Sequence, residues 1–244
     1  MPLDSPAAVI FDVYDTLFAN SPEKWQEAFA EIVAEQGLPL DGPELWRRWK
    51  VYEVDFRKTR TNMEDPDNNP PFRSYEQAWA DCFERVFADG SLPGDAAAAA
   101  KRSVEHMSRR DPFPEMLEAI RALDGRTKLA VFSNADDAFL MPMLEEYDLP
   151  FESVNSSESA RIYKPHPAAY RYVLDKIGVP AARAWYVGDH LWDDVHGASR
   201  VGMTTVWINR ESAEFDGLTR PDIEIKSLTE LSDLISHPGY YFQA

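Results

Sequence analysis

At 244 residues the chain is long enough for one large domain or a domain with a sizeable insertion, and 44% hydrophobic content with seven Trp and thirteen Phe excludes a disordered polymer. Twenty-five basic residues against 42 acidic ones give a formal charge of −17, which repels phosphate backbones and excludes nucleic acid as a partner. Cys82 is the only cysteine, so an intramolecular disulfide and a Cys-based metal site are excluded as well.

In chain order, "MPLDSPAAVIFD" shows no basic leader and runs straight into an apolar stretch, AVIFDV (8–13), that reads as a buried strand reaching Asp12. Ser21 followed by Pro22 is a good helix start, and EKWQEAFAEIV puts Trp25, Ala28, Phe29, Ile32 and Val33 on one helical face. PELWRRWKVYEVDFRK, YEQAWADCFERVF and DAAAAAKRSVEHM also read as helices, with the proline-rich NMEDPDNNPPF (62–72) a loop between the first two of these. No strand is evident from 22 to 110, which predicts an all-helical insertion with returns near 19 and 111.

Beyond the insertion, KLAVFSN (128–134), the weaker FESVNSS (151–157), AWYVGD (184–189) and TTVWIN (204–209) read as strands, separated by helical patterns over 137–147, 167–178 and 192–201. This alternation predicts an α/β fold: a Rossmann-like, doubly wound parallel sheet formed by 1–18 and 112–244, with 19–111 as the inserted helical domain. Ligands in such sheets sit beyond the carboxyl ends of the strands, where Asp12, Ser133, Asn134 and Asp189 fall. No segment reaches the roughly 20 apolar residues that span a bilayer, so the expectation is a cytoplasmic protein with no membrane partner.

A carboxylate at a strand end, followed by turn-forming Asp15 and Thr16, can present one oxygen as a nucleophile, or it can be a plain turn aspartate. The companions point to the first alternative. FDVYDTL resembles the first motif of the haloacid dehalogenase superfamily, VFSN its second, YKP its third and VGDHLWDD its fourth, in the family's order and over nearly the whole chain. Within that superfamily the likeness is strongest to the L-2-haloacid dehalogenases. LWRRWKVYEVDFRK is similar to the cap helix holding that subgroup's halide-binding arginine, which falls on Arg47; YKPHPAAY supplies Lys164 and Tyr170; VWINR (206–210) also looks like the subgroup. The resemblance implies a hydrolase with Asp12 as nucleophile and a covalent aspartyl intermediate. It implies that Thr16 orients Asp12, Lys164 neutralises the anionic cluster, Ser133 and Asn134 bind substrate or leaving group, Arg47 reaches down from the helical cap, and Tyr14 and Tyr170 line the substrate. Read without the resemblance, Arg47 is a solvated helix charge, Lys164 a loop lysine, Tyr170 a core residue and SNAD a helix cap.

Tyr14 bears on the reaction. Phosphatases of this superfamily carry Asp two positions after the nucleophile, to protonate the leaving alkoxide. A phenol of pKa about 10 is a poor base for the water step, whereas a halide leaves without a proton, so Tyr14 fits C–halogen displacement. Two departures from the subgroup stand beside it. Asp15 occupies a position that is normally Gly. The fourth motif carries Asp189, Asp193 and Asp194, like the Mg²⁺-dependent phosphatases, where the dehalogenases carry Ser and Asn. Asp12, the Tyr14 carbonyl, Asp189 and Asp194 are therefore the expected ligands of a Mg²⁺, with Asp193 as a helix cap. The main expectation is a dehalogenase-like hydrolase of a small anionic substrate. The alternatives are a Mg²⁺-dependent phosphatase of a small phosphorylated metabolite and a non-catalytic relative; the resemblance leaves room for a homodimer.

Overall fold

The structure, a computed structural model, describes residues 5–236; the ends of the expected core, 1–4 and 237–244, lie outside the described residues. The chain divides into two compact units, one of residues to Ala19 with Asp111–Asn134 and from Leu144 on, the other of Asn20–Arg110 with Ala135–Met143.

The first unit is built on a parallel sheet of six strands: β1 (Ala8–Phe11), β2 (Lys128–Ser133), β3 (Ser153–Ser156), β4 (Ala184–Gly188), β5 (Thr204–Ile208) and β6 (Ile223–Ile225), in the order β3-β2-β1-β4-β5-β6. The central strands are buried along nearly their whole length, which is why AVIF, LAVFS and AWYVG read as continuous apolar runs rather than alternating ones. Ala8, Ile10, Ala130, Phe132 and Tyr186 pack against Ala169, Tyr170, Val173 and Ile177 of the helix Pro167–Ile177 in one apolar cluster. The sheet order reverses between β1 and β4, so a crevice opens where their carboxyl ends part. Asp12 follows β1 and Asp189 follows β4. The short β6 escapes a sequence reading, because three residues of IEI carry too little pattern.

The second unit contains α1 (Pro22–Gln36), α2 (Gly42–Thr59), α3 (Tyr75–Gly90) and α4 (Ala96–Met107). Pro22 sits in the first turn of α1, and Asp41, Ser74 and Asp95 cap the next three helices through side-chain oxygens. Trp25, Trp49 and Trp79 meet with ring centroids 5.5–5.6 Å apart, and Phe29 and Phe83 stack beside them. Asp136 belongs to this unit: its carboxylate accepts the Tyr75 and Glu76 N–H groups at 2.7 and 2.8 Å, at the positive end of α3.

Candidate active site

Asp12 closes β1, with its own N–H held by the Val187 carbonyl of β4 at 2.9 Å. Immediately after it the chain turns back: the N–H groups of Thr16, Leu17 and Phe18 all point at the Val13 carbonyl, and Asp15 N–H reaches Phe18 O. Asp15 adopts a φ of 62°, the left-handed conformation that glycine takes freely. The tight turn therefore forms with Asp in the glycine position, at a cost of about 1 kcal/mol, because Asp is among the few side chains that tolerate this region.

The Asp12 carboxylate is buried and oriented through one oxygen. Oδ1 accepts Ser133 Oγ at 2.7 Å and Lys164 Nζ at 2.8 Å; no bond from a described residue reaches Oδ2. The Lys164 ammonium, 2% exposed, also donates to Asp194 Oδ1 at 2.7 Å and to the Tyr186 hydroxyl at 2.9 Å, and that hydroxyl donates to the Phe132 carbonyl at 2.6 Å. All three ammonium hydrogens are thus used. Burial works against the lysine's charge, but the Asp12 and Asp194 carboxylates outweigh it and hold the ammonium well above its ordinary range. Tyr186 has no place in the sequence reading. In AWYVGD it passes for one more core residue; the signal available was that a buried phenol needs a hydrogen-bond partner.

Several sequence expectations change here. Thr16 does not orient Asp12; its Oγ1 donates to Asp189 Oδ1 at 3.1 Å, tying the β1 turn to the β4 loop. Asn134 is occupied with scaffolding: it accepts Lys164 N–H at 2.8 Å, donates to the Lys164 carbonyl at 3.1 Å and to Asp193 Oδ2 at 3.3 Å. Tyr170 does not line the substrate. It is fully buried, its ring meets Tyr186 edge-on, and its hydroxyl donates to the Asp193 carbonyl. Arg47 is exposed on α2, with Nε and Nη2 engaged by the Glu44 carboxylate at 2.7–2.9 Å, a solvated in-helix ion pair. Tyr14, half-buried, lies in the turn itself.

The fourth motif departs from an ordinary helix. Residues Leu191–His196 form one wide π-turn before a short helix at Gly197–Ser199, where the pattern predicts a helix over 192–201. Asp193 does not act as the cap; His190 does, its Nδ1 accepting Asp193 N–H at 3.0 Å. The wide turn swings Asp194 back over the strand end, where its Oδ2 accepts His190 N–H at 2.9 Å. Gly188 makes room for it: a Cβ there would stand 2.3 Å from Asp194 Cγ.

Asp12, Asp189 and Asp194 each offer an oxygen within 4.8 Å of the others. Burial, then the Asp194 and Asp12 charges, push the Asp189 carboxyl well up. Burial likewise raises Asp194 to about 7, against the opposing pull of Lys164. Three hard oxygen donors in such mutual repulsion fit a hard divalent cation such as Mg²⁺, and Lys164 supplies only part of the counter-charge they call for. No described helix is long and apolar enough to cross a membrane.

A sequence profile described as haloacid dehalogenase-like hydrolase matches residues 6–202. The chain belongs to this family. It is an enzyme, a hydrolase. Among the curated haloacid dehalogenase-like relatives, it is 28% identical to a haloacetate dehalogenase H-2 of Moraxella sp. (strain B), over 94% of this chain and 97% of that one. It is also 28% identical to a glyceraldehyde 3-phosphate phosphatase of Methanopyrus kandleri, over 93% and 96%. The fold matches that of the Mg²⁺-bound HAD-hydrolase YfnB of Bacillus subtilis with a TM-score of 0.78 at 18% identity, covering 96% and 100% of the two chains.

Proposed function

We propose that this enzyme is a haloacid dehalogenase acting on a small 2-haloacid, with Asp12 as the nucleophile. The arrangement at Asp12 carries the reading: one oxygen is fixed by Ser133 and Lys164, the other makes no hydrogen bond to a described residue, and a tyrosine rather than a carboxyl stands two residues on. In the first step an Asp12 Oδ2 lone pair forms a bond to the halogen-bearing carbon. The carbon–halogen bond breaks and the halide leaves with its electron pair, so no general acid is required. Lys164 lowers the energy of the anionic site. In the second step water adds to the Asp12 ester carbonyl, the acyl carbon–oxygen bond breaks, the departing alkoxide takes the proton of the added hydroxyl and leaves as a 2-hydroxy acid, and the carboxylate returns. Asp189, raised by burial and neighbouring charge and held by Thr16, takes the other water proton and releases it to solvent. The similarity to curated haloacetate and (S)-2-haloacid dehalogenases supports this substrate class.

The decisive experiment measures halide release from haloacetates and (S)-2-chloropropionate, with a single turnover in ¹⁸O-water. One ¹⁸O in the Asp12 side chain is expected; halide release with an unlabelled Asp12 overturns the assignment of the nucleophile, and no release from either substrate overturns the substrate class.

The acidic trio favours a second reading, a Mg²⁺-dependent phosphatase. Asp12, Asp189 and Asp194, with the Tyr14 carbonyl, would hold the ion, which when bound lets a carboxylate approach a phosphate dianion. EDTA-sensitive phosphate release from an alkyl phosphate, without halide release, would establish it.

A further inference from the structure

The carboxyl end of β5 sends two side chains into the loops of the site. Trp207 Nε1 donates to the Asp189 carbonyl at 2.9 Å. Three residues on, Arg210 serves the other loop: Nη2 donates to the Thr16 carbonyl at 2.9 Å, and Nη1 donates to Glu115 Oε1. Its guanidinium lies over the Phe113 ring, 3.7 Å from the centroid. Among the described residues no other group bonds the Thr16 carbonyl, and the neighbouring Leu17 carbonyl is taken by Phe113 N–H at 3.0 Å. Thr16 in turn passes its hydroxyl hydrogen to Asp189.

Arg210 is itself held firmly. Asn209 before it bonds Ala213 N–H and carbonyl and the Glu224 carboxylate, and Ser212 turns the chain with a φ of 55°. Burial is the largest single influence on the Glu115 carboxyl and raises it, yet its net shift is downward, because the Arg210 hydrogen bond and charge together with backbone hydrogen bonds outweigh burial. A guanidinium suits this position: its planar fork serves two acceptors while its face stacks on an aromatic ring, which an ammonium cannot do.

We propose that Arg210 is a positioning residue for the nucleophile turn, fixing the Thr16 carbonyl and, through Thr16, the placement of Asp189 relative to Asp12, with Glu115 and Phe113 setting its own orientation. The inference rests on the reading of Asp12 as nucleophile. A misplacement near 1 Å at reacting groups costs about 10² in rate, and the bonds lost with Arg210 are those that set this distance.

The test compares wild type with Arg210→Met and Arg210→Lys by kinetics and by amide hydrogen exchange. Arg210→Met is expected to lower kcat by about 10²-fold, with KM within about twofold, and to speed exchange at Asp15, Leu17 and Phe18 while β1 and β4 stay protected. Sub-denaturing guanidinium should restore part of the lost kcat, and Arg210→Lys should fall between. Wild-type exchange at these three amides overturns the proposal whatever the activity, as does faster exchange with unchanged kcat, or faster exchange spread over the whole sheet. If the wild type releases halide from no 2-haloacid, the substrate reading falls, and the exchange result still decides whether Arg210 holds the turn.

Discussion

Lys164 shows how a single residue sets the character of this site. Its buried ammonium bridges Asp12 and Asp194, at 2.8 and 2.7 Å. Removing one partner of a buried ion pair leaves an uncompensated charge and costs about 3–5 kcal/mol. Lys164→Met is therefore expected to lower the urea-unfolding free energy by that amount at neutral pH and to abolish turnover. The stability deficit should shrink at acid pH, where the Asp194 carboxylate takes a proton instead; a deficit independent of pH would show that packing, not charge, carries the loss. Asp194 gives a second pH signature. Its folded pKa is raised to about 7, whereas an unfolded Asp titrates near about 3.9. Between those values the folded state binds more protons than the unfolded one, so stability falls as pH rises through the window. The melting temperature of EDTA-treated protein should thus drop from pH 5 to 7.5. Millimolar Mg²⁺ should flatten the profile if the trio binds it, and an unchanged profile would count against the metal reading.

At the scale of elements, the site depends on two backbone solutions that bring acidic loops close together. Gly188 ends β4 beneath Asp194, and an added Cβ would meet Asp194 Cγ at 2.3 Å. Gly188→Ala is expected to cost about 1–3 kcal/mol, as overpacking does, and to cut kcat by displacing Asp194 from Lys164; wild-type kinetics would show that the π-turn can shift without consequence. Asp15→Val places a β-branched residue at φ 62° and should destabilise the turn, measured as lower thermal stability with lower kcat. These devices also mark what the sequence could convey. The apolar runs of β1, β2, β4 and β5 and the helical periodicity of α1–α4 were legible because burial imposes them locally. The motif residues Asp12, Ser133, Lys164, Asp189 and Asp194 were legible by resemblance, and the structure brings them together around one ammonium. What escaped was partner choice. That Thr16 bonds Asp189, that Asn134 braces the Lys164 backbone, that Asp136 caps α3 and that Arg210 grips Thr16 depend on pairings across 30 to 194 positions, which no local pattern encodes. The π-turn escaped for another reason: its six residues differ from a helix only in where the hydrogen bonds close.

For the whole molecule the dominant quantity is the −17 charge. A small haloacid anion must approach through that field before it reaches Lys164, which is already shared by two carboxylates. Screening shortens the reach of the repulsion, from a Debye length of about 30 Å at 0.01 M ionic strength to about 8 Å at 0.15 M. Encounter with an anionic substrate should therefore quicken as salt is added, while the chemical step inside the buried site, screened little, should not. The expected outcome is a rise in kcat/KM for a 2-haloacid between these ionic strengths, at constant kcat, with sodium sulfate as the salt so that no halide competes as product. A neutral 2-haloamide, if turned over, should show no such rise. A fall in kcat/KM for the acid would mean that local positive charge outweighs the net charge.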